Sequence, residues 1–173
     1  LSMVHEYKIS GDAPVLRVEI VTVDNMAGDV ALYEFAALDG QPLPEWTAGA
    51  HLDIVVAPEF LRQYSMSGDP ADRSKYQIGV LREDQGRGGS ALLHRIFTKG
   101  RKIFISKPIN HFLLEHSASK SFLMGGGIGI TPMIAMAHEA HAAGLDFEMH
   151  YSVSSRATAG YLAQLEDVAW SDR

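Results

Sequence analysis

The chain contains no cysteine. Disulfides, thiolate catalysis and cysteine-ligated zinc or iron–sulfur centres are therefore excluded within these residues. No apolar run approaches the ~20 residues of a membrane span, and the opening LSMVHEYKIS lacks the apolar stretch of a secretory leader. Basic residues are the minority, with 15 Lys and Arg against 21 Asp and Glu and a net charge of −6. That balance speaks against general nucleic-acid binding, which relies on clustered Lys and Arg. These absences lead to the expectation of a cytoplasmic protein with neither nucleic acid nor membrane among its partners. What is present is an ordinary globular composition, 46% hydrophobic and 21% charged over 173 residues. That is enough for one large domain or two small ones with a real core.

Two patterns divide the chain. Short apolar runs between turn residues predict strands over 15–23, 32–38, 51–56, 62–67, 75–81 and 102–107, with a short helix near 91–97. Strands of this kind predict a small closed antiparallel barrel. After Pro108 the pattern changes: a strand over 121–124, a glycine run, a helix over 132–143 ended by Gly144, and a strand over 147–151. Strand, glycine loop, helix, strand is a βαβ unit and implies a parallel sheet. A further helix is expected over 161–168. So few elements do not complete a doubly wound domain. The expected division is therefore a barrel over residues 1–114 and the first half of an α/β domain over 115–173.

The glycine run is Gly125-Gly126-Gly127-Ile128-Gly129-Ile130-Thr131-Pro132. Glycines let the backbone turn tightly and approach a ligand with no Cβ in the way. Thr131 is placed to cap the helix and Pro132 to be its first residue. The helix start would then offer free N–H groups to an anion such as a pyrophosphate. The dinucleotide fingerprint is met only in part, because Ile130 stands where the third glycine belongs. Ser154, Ser155 and Arg156 stand where an acidic ribose ligand is expected. A tight β–α turn in any α/β protein accounts for the run equally well.

A second glycine loop lies in the barrel half. Gly88-Gly89 frees the backbone and Ser90 is placed to cap the short helix, making another anion site. Arg62, if it comes near, adds a bidentate guanidinium. Tyr64 offers a flat face to an aromatic ring and Ser65 a hydroxyl to a ring nitrogen. Singly, each reads as a surface charge, a core aromatic or a plain turn. Together, two anion-binding loops of different type on two units favour a pair of phosphate-bearing cofactors. The histidines do not complete a metal motif: His138 and His141 share a helix and His111 and His116 flank a loop, with no paired carboxylates. Met124, Met133, Met136 and Met149 read as core filler.

In chain order, Arg62-Gln63-Tyr64-Ser65, Gly88-Gly89-Ser90, Pro108-x-Asn110-x-Phe112 and the run Gly125 to Pro132 resemble the ferredoxin–NADP reductase superfamily. Within it they are most similar to the reductase components of Rieske-type oxygenases and O-demethylases. The resemblance implies a six-stranded antiparallel Greek-key flavin barrel, a nicotinamide-binding α/β domain and a plant-type 2Fe-2S domain, the last outside these residues. It implies FMN as the flavin, with FAD the alternative. Arg62 and Ser90, with the Gly88 and Gly89 amides, would hold its phosphate, and Gln63 belongs to the same motif. Tyr64 would pack on the ring as part of an outward-facing floor, and Ser65 would bond near flavin N5 as the catalytic contact. Gly79, Val80 and Leu81 would offer backbone contacts. Gly126, Gly127, Ile128, Gly129, Thr131 and Pro132 would hold NADH or NADPH, with Thr131 reaching toward the flavin. Ser155 and Arg156 would meet the nucleotide ribose, leaving the choice between the two open. The implied function is electron transfer from NAD(P)H through the flavin to a 2Fe-2S centre and a Rieske-type oxygenase. A stand-alone FAD ferredoxin or flavodoxin reductase, and a flavin-binding module without hydride transfer, are the alternatives.

Overall fold

A computed structural model of the chain describes residues 15–58, 60–85 and 88–173. The opening ten residues, read above as carrying no leader, and positions 86 and 87 of the second glycine loop lie outside them. Six strands build the first unit: β1 (Val15–Asn25), β2 (Val30–Ala37), β3 (Ala50–Ala57), β4 (Phe60–Ser65), β5 (Tyr76–Leu81) and β6 (Lys102–Ser106). They hydrogen-bond in the order β4-β3-β6-β1-β2-β5, and every pairing is antiparallel. The two ends of that order, β4 and β5, meet just past β4, through a bridge between Met66 and Ile78 and the Ser67 N–H donating to the Gln77 carbonyl at 2.9 Å. Elsewhere β4 and β5 part. The result is the expected barrel, nearly closed and split along one seam.

Period-two alternation supplies the core. On β3, Ala50, Leu52, Ile54 and Val56 are buried, joined by Val18 and Ile20 from β1 and Ile103 and Ile105 from β6. The helix α1 (Gly89–Ile96) packs against β3, β4 and β5. It buries Leu93, and Phe97 just beyond it lies edge-on to Tyr33 at 5.8 Å between centroids. Most boundaries shift by one or two residues from expectation, and one short strand is new. The strand β2 starts at Val30 rather than 32, because Gly28 (φ 68°) and Asp29 (φ 57°) turn the chain tightly in the left-handed region. A two-residue strand β7 (Ile109–Asn110) pairs with Ala50 and His51, too short to leave a pattern in the sequence.

The second unit runs β8 (Ser121–Gly126), a 3-10 turn (Gly127–Gly129), α2 (Ile130–Ala142), β9 (Phe147–Ser152), a 3-10 turn (Arg156–Thr158) and α3 (Leu162–Glu166). β8 and β9 are parallel, from Ser121 beside Phe147 to Gly126 beside Ser152. One face of this pair is covered by α2, with Leu123, Phe147, Ile134 and Ala137 buried. The other face shows Phe122 at 57% and Met124 at 66% exposure, an uncovered layer in a sheet type usually covered on both sides. The last helix is shorter than the expected 161–168, and Tyr161 precedes it as a buried side chain.

The units are tied at two places. Glu139 of α2 accepts the Ala48 N–H at 2.7 Å through Oε2, and its Oε1 lies 2.8 Å from His116 Nε2. Within the first unit, Asn110 Nδ2 donates to Thr47 Oγ1 at 2.7 Å and to the Ala48 carbonyl at 2.8 Å, holding the loop that Glu139 meets. On the far side, Tyr161 lies over Gly79 of β5. No helix among the described residues is long and apolar enough to cross a membrane.

Candidate cofactor-binding site

Where β4 and β5 part, a cavity of about 310 Å³ opens between the barrel, the start of α1 and the 3-10 turn of the second unit. Arg62, Gln63 and Tyr64 line it from β4 and Gly79 and Leu81 from β5. Glu83, Gly89, Ser90 and Ile128 complete the wall. Register decides which side chains of β4 reach it. Arg62 pairs with Ile54 and Tyr64 with Leu52, and paired residues share a sheet face. Those two side chains therefore lie on the core side of the wall and reach the cavity through the split seam, not from an outward floor. Gln63 is on the opposite face, where its Nε2 donates to the buried Asp53 carboxylate at 2.8 Å.

The guanidinium of Arg62 is held in place. Its Nη1 donates to the Leu61 carbonyl at 2.8 Å, and its carbon stands 5.0 Å from the Phe60 ring centroid. It packs on Gly89, where a Cβ would fall on the guanidinium itself. Gly88, the residue before α1, has φ 78°, and neither a capping side chain nor an acidic residue occupies the first turn. First-turn N–H groups without an intrahelical partner and a fixed arginine thus lie side by side, an arrangement with the chemistry to receive an anion. Gly88 itself faces a neighbouring, more open cleft of about 760 Å³ lined also by Arg82, His94 and Arg95. Ser90 lines the cavity, but it does not cap α1; its Oγ accepts the Glu83 N–H at 3.1 Å and ties the loop across the cavity mouth.

Tyr64 is held neutral. Burial pushes its phenol up to about 12, with Arg62 acting downward and Glu83 upward. An uncharged ring half-sunk in the wall suits stacking more than proton transfer. The lining stops at Tyr64: Ser65 ends β4 opposite His51, outside the cavity wall. Val80 is also displaced from the expected contacts, since its side chain is buried in the barrel and its carbonyl accepts a hydrogen bond from His94 Nε2 at 2.9 Å.

The second glycine run does less at the cavity than its composition suggested. Ile128 alone of that run lines it. The helix α2 starts at Ile130, so Thr131 lies inside the first turn and does not cap it. Its hydroxyl donates to the Ile128 carbonyl at 3.0 Å, because the 3-10 turn continues directly into the helix. Pro132 follows within that first turn, where its missing N–H costs no hydrogen bond. Gly126 ends β8, Gly127 takes φ 51° and Gly129 precedes α2. Close strand–helix contact falls on Gly125, where a Cβ would meet the Ile130 backbone. The close approach that the fingerprint assigns to its third glycine is therefore made from the strand side, which accommodates isoleucine at 130. Beyond β9, Ser155 Oγ lies 3.2 Å from Thr158 Oγ1, and Arg156 pairs with Glu166 at 2.7 Å with both side chains exposed.

Known proteins resemble this chain in sequence and in fold. The chain is 40% identical over 169 residues, 98% of its length and 50% of the relative's, to the tert-butanol monooxygenase / tert-amyl alcohol desaturase reductase subunit of Aquincola tertiaricarbonis. It is 40% identical over 154 residues, 89% of its length and 48% of the relative's, to the vanillate O-demethylase oxidoreductase of Pseudomonas putida. Among solved structures, phthalate dioxygenase reductase superposes with a TM-score of 0.87 at 34% identity, over 91% of this chain and 50% of that one. The chain is similar in sequence and fold to oxygenase reductases of the ferredoxin–NADP reductase type. No protein-family model matches it. It spans about half the length of the curated relatives it matches.

In superfamily terms, the Arg62–Tyr64 segment, Gly89 and Ser90 come together as the sequence suggested, and Ile128 joins them from the second unit. Glu83 and the Tyr161–Gly79 contact were not foreseen. Glu83 sits in a polar loop with no motif of its own, and Tyr161 read as the first residue of a helix.

Proposed function

We propose that the chain is the flavin-binding unit and the first half of the nicotinamide-nucleotide domain of an oxygenase reductase component, with the boundary at 114/115. The observation that carries this is the Arg62 guanidinium seated on Gly89 beside the uncapped start of α1, with Tyr64 in the same wall. A flavin phosphate and ring fit those residues. Arg62 and the first-turn N–H groups of Gly89 and Ser90 would hold the phosphate, charge to charge and donor to acceptor. Tyr64 would lie against the ring, and Gly79 would border it through its backbone. The Gln63 backbone would border the ring edge, with its side chain held on the other face by Asp53, and Ser65 would reach flavin N5 only with a small movement at the end of β4.

When bound, the flavin accepts a hydride from NADH or NADPH and releases electrons one at a time. The chain's own residues orient and neutralise. The 3-10 turn Gly127–Gly129 and the start of α2 would face the second cofactor, with Gly126 and Thr131 shaping that turn. Ser155 and Arg156 stand past the end of β9, where a ribose or its phosphate would lie, and Arg156 would have to exchange Glu166 for it. FMN is proposed over FAD, and a Rieske-type oxygenase with a 2Fe-2S centre carried outside these residues is proposed as acceptor. The relatives' names, an O-demethylase oxidoreductase, a monooxygenase reductase subunit and a dioxygenase reductase, support that class of partner.

The test is a visible spectrum of the purified chain followed by acid release of any chromophore and titration with FMN and FAD. Flavin bands with FMN released, and reduction on adding NADH, are expected. Flavin bound but untouched by NADH or NADPH would instead favour a binding module. A colourless chain that takes up neither flavin would overturn the proposal.

A further inference from the structure

The side of β5 away from the sequence motifs carries a second contact between the units. Gly79 lines the cavity, and yet a Cβ on it would fall within the Tyr161 ring and hydroxyl. Tyr161 is 1% exposed, and its hydroxyl lies 3.1 Å from Ser67 Oγ. Ser67 in turn donates to Gln77 Oε1 at 3.2 Å, so the phenol is tied to both sides of the β4–β5 closure. The segment leading to it is equally tight. A Cβ on Gly28 would strike the Thr158 carbonyl, and one on Gly160 would crowd the Ala27 carbonyl and Val30. Three glycines, two on the barrel and one on the segment, are thus needed for residues 158–161 to lie against the barrel.

A phenol that merely filled the core would not need a strand residue stripped of its side chain beneath its hydroxyl. The placement also matters for the cavity. The turn Gly127–Gly129 contacts β5 as well, and its Ile128 forms part of the same cavity wall as Gly79. β5 is therefore gripped at Gly79 by Tyr161 while its neighbouring residues meet the turn that would present the nicotinamide nucleotide.

We propose that Tyr161 is a positioning residue: seated on Gly79 and held through Ser67, it fixes how far the Gly127–Gly129 turn stands from the β5 wall. With the proposed function, on which this part rests, that distance is the approach of a nicotinamide to the flavin ring. The chemistry at the reacting atoms is left unchanged by Tyr161; what it supplies is geometry, to which transfer between two bound rings is steeply sensitive.

The experiment is amide hydrogen exchange on the ligand-free chain, comparing wild type with Tyr161→Phe, Ser67→Ala and Tyr161→Leu. Tyr161→Phe keeps the ring and removes the hydroxyl, and Ser67→Ala removes the same bond from the barrel side. Both are expected to speed exchange at residues 127–131 and 78–81 by about three- to tenfold, the loss of one buried hydrogen bond. Amides near Ala48, at the Glu139 tie, should not change. Tyr161→Leu should speed exchange at the same amides further, and if it fails to fold, the two milder variants decide. Unchanged exchange at 127–131 in both milder variants would overturn the proposal, whether or not the chain binds flavin. In the flavin-loaded protein, Tyr161→Phe should slow reduction by NADH about tenfold with FMN affinity kept within about twofold. A loss of FMN affinity as large as the loss of rate would show Tyr161 to be part of the flavin pocket, against the proposal. Failure of the loaded chain to be reduced at all, with exchange altered as expected, would count against the proposed function alone.

Discussion

Two glycine runs open two helices in this chain, and they do different work. At Gly88-Gly89 the missing Cβ leaves room for a guanidinium, and the helix start stays uncapped and open to a cavity. At Gly125 the missing Cβ leaves room for the Ile130 backbone, and the helix start is approached through a 3-10 turn whose threonine is satisfied locally. The first run clears space for a ligand's counter-charge; the second lets a strand and a helix touch. Glycine composition alone does not separate these roles. What lies within about 4 Å of the absent side chain does.

The largest expected effect breaks the second run. Gly125→Val places branched carbons on backbone atoms that cannot rotate away, and should cost about 3 kcal/mol or unfold the α/β unit. A chemical-denaturation midpoint indistinguishable from wild type would remove the packing role. Next comes the first run. Gly89→Ala should drive the Arg62 guanidinium off its seat and weaken FMN binding about tenfold. Unfolding free energy should move by less than about 1 kcal/mol, because alanine is the better helix former. Equal losses in binding and stability would make Gly89 a packing glycine like Gly125. Arg62→Lys sharpens the point further: the charge stays but the planar fork is lost, so affinity should fall several-fold with the melting temperature unchanged.

The smallest effect concerns the cavity wall itself. Tyr33 and Tyr64 are both pushed up to about 12 by burial, whereas an unfolded tyrosine ionises near ~10. Between those values the native chain holds protons that the unfolded chain has lost, so the stability these two groups contribute should decline as pH rises above about 10 and be constant below it. Ultraviolet phenolate absorbance and unfolding, followed together, check this. Tyrosines that ionise near ~10 with the fold intact would show Tyr64 to be open to solvent and the wall described here to be wrong.

Much of this was legible in the sequence, and the exceptions have causes. The barrel strands followed from short apolar runs between turn residues, and the fold buries every second residue of them, as at Leu52, Ile54 and Val56 or Ile103 and Ile105. Charge and glycine alone leave the pairing of Arg62 with the Gly88-Gly89 loop conditional, and the resemblance implies it. The helix start at Thr131 was misplaced because a threonine before a proline looks like a cap, and nothing local reveals a 3-10 turn feeding into it. β7 is two residues long and exists only through its pairing with β3. Ser65 and Val80 were carried along with their motif neighbours, yet one ends its strand outside the wall and the other gives its carbonyl to His94. Tyr161 was invisible because its role depends on Gly79, 82 positions away and silent until the chain is folded.

The central claim is that Arg62 on Gly89 forms a flavin phosphate site. It is tested most directly by titrating FMN into wild type and Arg62→Ala while following flavin fluorescence, with thermal unfolding of both measured alongside. The account predicts saturable binding to wild type, affinity lower by about 10- to 100-fold in Arg62→Ala, and nearly equal melting temperatures. Wild-type chain that binds no flavin, or an Arg62→Ala chain that binds it as well as wild type, would contradict it.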